Sequence, residues 1–333
     1  MKFKTFYIIV ILFLLNSCNS EKERKLDFDV SGIKLADFSI ARYERDLFNL
    51  QPDHIKEGLQ VIQQKYWIFL AADLEDTTNL NKIEDFITDP ELINAFQETE
   101  KKFPDLNSLT FELGNALKYY KHYFPENFIP QVFTYVSGYQ YEYPVQIADS
   151  AVIIGLDVYL GNDFKTYSQI GIPRYKIERM QPNYISIDCM KELALQLLPP
   201  SPKTTTFLDE IINLGKVMYF LDATLPKKEE FLKIGYSPEQ LKWCSENERN
   251  LWAFIIDNQV LFSSDSQIIR KFTIDGPFTA AFSKEAPARL GTWFGWQIVR
   301  SYMNHHPDIT LAELFRNTDN NLIFSQSKYK PLQ

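Results

Sequence analysis

QVFTYVSGYQYEYPVQIADSAVIIG, residues 131–155, is where the apolar pattern of this chain changes period. Val132, Phe133, Thr134, Tyr135 and Val136 are β-branched or aromatic, which suits a pleated, half-buried surface. Ser137-Gly138 then marks a turn, a second short run follows near residues 143–147, and Ala148-Asp149-Ser150 marks another turn. Residues 151–156 form an unbroken apolar run, the pattern of a buried strand. Three strands joined by tight turns predict a small antiparallel meander. Elsewhere the clear periods are helical, so the predicted fold class is α+β, predominantly helical, with the small meander packed against helices.

The helices have legible boundaries. Residues 90–102 and 106–120 carry helical stripes, the latter through Leu109, Leu113, Ala116, Leu117 and Tyr120. Residues 33–48 and 54–70 also read as helical. Residues 183–198 place Tyr184, Ile187, Ala194 and Leu198 on one face, and the prolines at 199, 200 and 202 end the run. Phe207, Ile211, Leu214, Met218 and Leu221 repeat at four, three, four and three within residues 204–221. Ser237-Pro238-Glu239-Gln240 combines a Ser cap, Pro at the first helical position and Gln three residues after the cap, starting a helix to about Asp257. Residues 289–303 are apolar nearly all round, predicting a central helix, and Gly291 and Gly295 on one face allow close backbone packing. Residues 163–182 lack a clear period and read as a surface connection.

The chain has 333 residues with formal net charge −8, a balance that argues against a nucleic-acid partner. Lys2 and Lys4 precede ten apolar residues at 6–15, too few to span a bilayer as a helix, so residues 1–17 read as a signal segment. Leu15-Asn16-Ser17-Cys18 is similar to a bacterial lipobox, making Cys18 the expected lipidation site and acyl chains the expected membrane attachment. Residues 18–32 form the expected lipidated Cys and polar tether, and residues 33–333 one α-rich domain. Cys189 and Cys244 lie within helical apolar spacing, which favours buried thiols over a bridge.

No phosphate-cradling glycine loop, GxSxG elbow, CxxC pair or HExxH helix is present. The four histidines are His54, His122, His305 and His306. The adjacent pair diverges by about 100° on a helix, so all four read as surface or helix-end residues. Glu246 with Glu248, and Asp209 with Glu210, make poor acid/base pairs because near neighbours on a helix diverge, and solvated faces are the simpler reading. Tyr135, Tyr139, Tyr141 and Tyr143 suit strand packing or, alternatively, a ligand groove with Trp293 or Trp296.

Several strings carry a resemblance: IARYERDLF at 40–48, YWIF at 66–69, FIPQVFTYVSGYQ at 128–140, VIIGLDVYLG at 152–161, FLDEIINLGKVMYFLDATLP at 207–226 and RLGTWFGWQIVRSYM at 289–303, with a Pro-Arg-Tyr at Arg174. In this order they resemble the gliding motility lipoprotein GldB family of Bacteroidota. The resemblance implies a lipid-anchored, periplasm-facing envelope protein whose partners are other gliding-machinery proteins. A more distant likeness is to a family of predicted zincin-type zinc peptidases, and it implies a degenerate, pseudo-peptidase architecture. Laid on that family, Asp188-Cys189-Met190-Lys191-Glu192 stands where HExxH would, and Leu214-Gly215 where Glu-Gly would. Asp188, Glu192 and Leu214 are then degenerate ligand positions, implying no metal, no cofactor and no enzyme activity. An active envelope hydrolase and a ligand-binding lipoprotein are the alternative readings.

Overall fold

A computed structural model describes residues 26–36, 38–200, 205–279 and 281–331 of the chain. Cys18 and the leader lie outside the described residues. The chain enters through Asp27 and Phe28, pinned when Tyr119 Oη donates to Asp27 Oδ1 (3.0 Å) and to the Phe28 carbonyl (2.7 Å). Four strands form one sheet: β1 (Ile40–Arg42), β2 (Gln131–Tyr135), β3 (Val145–Ala148) and β4 (Ala151–Gly155), in the order β1-β2-β4-β3.

The sheet is mixed rather than a simple antiparallel meander. β2 runs parallel to both β1 and β4, and only β3 and β4 are antiparallel. The tight turn at 149–150 joins β3 and β4 as a hairpin, whereas the excursion between β2 and β3 returns the chain to the far side of β4. Residues 33–48 therefore hold a strand, which sequence periodicity reads as helix. Ile40 finds its pairing partner Val132 far along the chain, and pairing overrides a local pattern too short to decide.

Both sheet faces are covered, which explains the uninterrupted run at 151–155. Val132, Val152 and Ile154 enter the large core, while Phe133 and Ala151 enter a smaller one with Tyr43, Leu47, Leu59 and Tyr66. The smaller core is roofed by α1 (Tyr43–Phe48), α2 (Ile55–Ile62) and α3 (Thr77–Thr88). Helix α2 stops at Ile62, short of the expected residue 70. The chain then turns to bring Tyr66 back, its hydroxyl donating to Asp46 Oδ2 at 2.7 Å. The expected helices at 90–102 and 106–120 appear as α4 (Pro90–Lys102) and α5 (Asn107–Tyr123). Asp89 caps α4 by accepting from the Glu91 and Leu92 amides.

Residues 163–182 are not merely a surface connection. They contain α6 (Lys165–Gln169) and α7 (Arg174–Ile177), and Tyr167, Ile172, Ile177 and Met180 are buried. Tyr167 Oη ties the segment down by donating to the Asp157 carbonyl at 2.7 Å.

The large core is organised by α8 (Ile185–Leu197), α9 (Phe207–Thr224) and a later helix crossing α9. Between them come α10 (Glu230–Ile234), α11 (Pro238–Asp257) and α12 (Ser266–Thr273), and the chain ends with α13 (Leu290–His305), α14 (Leu311–Arg316) and α15 (Asn320–Ser327). The capping box predicted at Ser237 forms: the Ser237 side chain accepts from the Gln240 amide and the Gln240 side chain from the Ser237 amide. Helix α13 is buried along its length and crosses α9 at glycines. A Cβ placed on Gly215 would sit 2.1 Å from the Gly295 carbonyl oxygen, and one on Gly295 only 1.6 Å from that of Ile211. The small-residue face expected at 291–295 is thus a backbone-to-backbone contact, for which only glycine has room. Among the described residues no helix is long and apolar enough to cross a membrane.

Candidate functional site

A cleft opens where β3, α8, α10 and the segments around residues 179, 275 and 289 converge. Its inner part has a volume of about 210 Å³. Positions 188, 191 and 192 lie three and four apart on α8, and so Asp188, Lys191 and Glu192 share one face, directed into the cleft. Tyr159 donates its hydroxyl to Asp188 Oδ2 at 2.7 Å, fixing that carboxylate from below.

The opposite rim is positioned by a buried carboxylate. Asp157 is inaccessible to solvent and accepts from the Ser137 amide (2.8 Å), the Ser137 hydroxyl (2.9 Å) and the Tyr139 amide (2.6 Å). This closes the turn that holds Tyr139 at φ +63° and brings Tyr141 to the cleft wall. The Lys176 ammonium lies 5.0 Å from the Tyr141 ring centroid, a cation–π contact. The strings at 128–140 and 152–161 thus meet through one side chain.

The far wall is ionic. Arg179 Nη2 donates to Asp275 Oδ2, and Arg289 Nε lies 3.3 Å from Asp275 Oδ1, so two guanidiniums share one carboxylate. Arg289 also donates from Nη2 to the Gly235 carbonyl at 3.3 Å and lies 5.6 Å over the Tyr236 ring. Although burial opposes ionisation, Arg289 and then Arg179 hold the Asp275 carboxyl below its ordinary range. Burial pushes the Asp188 and Glu192 carboxyls upward against the pull of Lys191. Burial and then the nearby Arg289 charge depress the Lys191 ammonium.

Sequence reasoning singled out Asp188, Glu192 and Leu214, and the structure separates them. Asp188 and Glu192 line the cleft, but Leu214 does not and offers an aliphatic side chain in any case. The donor set does not fit a zinc ion: nitrogen and sulfur ligands are missing, Asp188 is committed to Tyr159, and Lys191, Arg179 and Arg289 surround the same space with positive charge. No group of three or more His, Cys, Asp or Glu among the described residues could hold a metal ion. Lys191, Arg179, Asp275 and Arg289 were not legible as a site, since they come from separate segments, with Arg179 and Asp275 lying 96 residues apart, and no local motif links them.

The remaining candidates have structural duties. His305 and His306 end α13, with Nδ1 of each 2.8 Å from the carbonyl four residues earlier, while His54 is exposed and His122 packs on Phe28. Asp209 caps α9 with Thr206, and buried Glu248 accepts from Tyr329. Cys189 and Cys244 are free and buried, and burial raises both thiols far above the ordinary range. Tyr143 is exposed, and Trp296 is fully buried, donating Nε1 to Asp222 Oδ2 at 2.7 Å, which removes it from any groove. Asp222 also bonds Lys233 Nζ (2.9 Å) and Arg300 Nε (2.7 Å). The string FLDATLP therefore carries a buried ionic junction between α9, α10 and α13.

Neither the curated proteins nor the solved structures gave a match to the chain. A family model described as gliding motility protein GldB matches residues 23–331, a span that takes in every strand and helix of the fold. The chain therefore belongs to the gliding motility protein GldB family.

Proposed function

We propose that this gliding-motility protein acts as a non-enzymatic, lipid-anchored component of the cell envelope, held through Cys18 and facing the periplasm. Its partners in this reading are other proteins of the motility machinery. The observation that carries the reading is the family match across the whole fold. The lipobox-like ending at Cys18 supports anchoring. A non-catalytic role is supported by the cleft, where Asp188 is hydrogen-bonded to Tyr159 and the third expected ligand position is Leu214. In this reading the scaffold is that of a zinc peptidase whose ligand positions have been refilled by two carboxylates, Asp188 and Glu192, and by Leu214.

The test is colony spreading of a deletion strain complemented with the wild-type gene, with Cys18→Ala, and with Asp188→Ala/Glu192→Ala. Rescue by the wild type and by the double variant, but not by Cys18→Ala, is the expected result. Normal spreading without the gene overturns the motility role in that strain. Loss of rescue by a well-folded double variant, together with stoichiometric zinc in the purified wild type, overturns the non-enzymatic role.

A further inference from the structure

We propose that the cleft captures a singly charged carboxylate, that of an extended peptide's C-terminus, between the guanidiniums of Arg179 and Arg289. Three observations converge there. First, the charges are unequal on the ionic wall: Asp275 is shared by two guanidiniums, leaving one positive charge uncompensated. A planar guanidinium fork matches a carboxylate in geometry as well as charge.

Second, Arg289 is held in a costly backbone conformation. Its φ of +59° lies in the left-handed region, which a long side chain rarely enters without compensation. That conformation delivers the guanidinium to the cleft, where the buried Nε has no aligned hydrogen-bond acceptor although Asp275 is close. A buried donor left without a partner is costly, and a ligand oxygen would satisfy it.

Third, the Lys191 ammonium faces the same space with no hydrogen-bond or ion-pair partner among the described residues, while Asp188 and Glu192 flank it on α8. These two carboxylates, with Glu142 at the mouth, decide between anions. A monoanionic carboxylate meets the single spare charge of the Arg179–Asp275–Arg289 group, whereas a dianionic phosphate would set its second charge near Asp188 and Glu192.

The walls fit an organic ligand rather than a bare ion, for Tyr141, Tyr184, Ile187 and Leu232 line the inner cleft. A wider cleft of about 670 Å³ adjoins it and shares Arg179, Arg289 and Asp275, so the ion group stands at the junction where a chain terminus would be gripped.

The inference rests on the cleft being a docking site and not a catalytic one. The experiment titrates the full chain in detergent micelles into a fluorescent tetrapeptide with a free C-terminal carboxylate, and into its C-terminal amide, following anisotropy. The acid is expected to bind saturably and at least ten times more tightly than the amide. Arg179→Gln and Arg289→Gly, the latter compatible with the left-handed φ, are each expected to weaken the acid tenfold or more and leave the amide unchanged. Should Arg289→Gly lose its cooperative melting, Lys191→Met serves as the second variant with the same expectation. Equal binding of acid and amide, absence of saturable binding, or displacement by equimolar inorganic phosphate overturns the proposal. Cleavage of the bound peptide, read by mass spectrometry, would defeat the non-catalytic reading while still supporting carboxylate capture.

Discussion

Gly215 and Gly295 touch through their backbones, and this contact sets the distance between the two longest-buried helices of the molecule. The Gly215 Cα region faces the Gly295 carbonyl so closely that a methyl group would lie 2.1 Å from that oxygen. No side-chain rotation relieves such a contact, because both partners are main chain.

Gly295→Ala is therefore expected to cost at least about 3 kcal/mol, since the added Cβ lies 1.6 Å from the Ile211 carbonyl and the helices must separate. Gly32→Ala is the control: nothing lies within 4 Å of its Cβ position and its φ is ordinary, so a change within about 0.5 kcal/mol is expected. Urea unfolding followed by circular dichroism compares them. Equal midpoints for wild type and Gly295→Ala would refute the packing account.

Removing the Asp157 carboxylate strips the acceptors from the buried Ser137 amide and the half-buried Tyr139 amide. Asp157→Ala is expected to destabilise the protein by about 2–4 kcal/mol and Asp157→Asn by about 1–2 kcal/mol, as the amide keeps one acceptor oxygen. Hydrogen exchange at the Ser137 and Tyr139 amides should accelerate in both variants. Unchanged protection would show that other contacts hold the turn.

Asp222 should behave as a buried ion junction. Despite burial, Arg300 and Lys233 hold its carboxyl below the ordinary value of 3.8. A lowered folded-state value means stability present at neutral pH and lost as pH falls below about 4. Asp222→Asn is expected to cost about 3–5 kcal/mol at pH 7, because two cations lose their counter-charge and one of the two acceptor oxygens that serve them and the Trp296 N–H becomes an NH2. The gap from wild type should narrow below pH 4. A gap independent of pH would mean that the carboxylate's charge is not what matters.

Lys216 predicts a slope of the same sign in an alkaline window. Its side chain is fully buried, donating from Nζ to the Asn317 carbonyl (2.7 Å) and Asn320 Oδ1 (3.1 Å), and burial lowers its ammonium to about 8. Between pH 8 and 10.5 the unfolded chain keeps a proton that the folded amine has released, so stability relative to Lys216→Met should rise with pH across that window. The gain is bounded at about 3 kcal/mol. Chemical unfolding at pH 7.5, 9 and 10.3 measures it, and a falling difference would show that the amine stays protonated when folded.

Much of the helical framework was readable because its signals are local. The Ser237 capping box, the Pro90 start and the Pro199-Pro200 stop each act within one turn, and all three hold in the structure. Apolar spacing likewise marked α9 and α13, and the paired glycines announced a close crossing. Three features were legible only after folding. Strand β1 depends on parallel pairing with residues 132–134, and residues 163–182 become partly buried because Tyr167 bonds to Asp157. The ionic wall unites Arg179, Asp275 and Arg289 from three separate elements.

The sequence by itself determined the family, the capped helix starts at Pro90 and Ser237, and the buried faces of α9 and α13, for these follow from short-range periodicity, caps and recurring strings. Only the tertiary structure decided the sheet's mixed topology, the fate of the Asp188 and Glu192 positions, and the sharing of one carboxylate by two arginines. Coulombic and pairing energies depend on distance in space, and no spacing along the chain encodes a contact that folding alone creates.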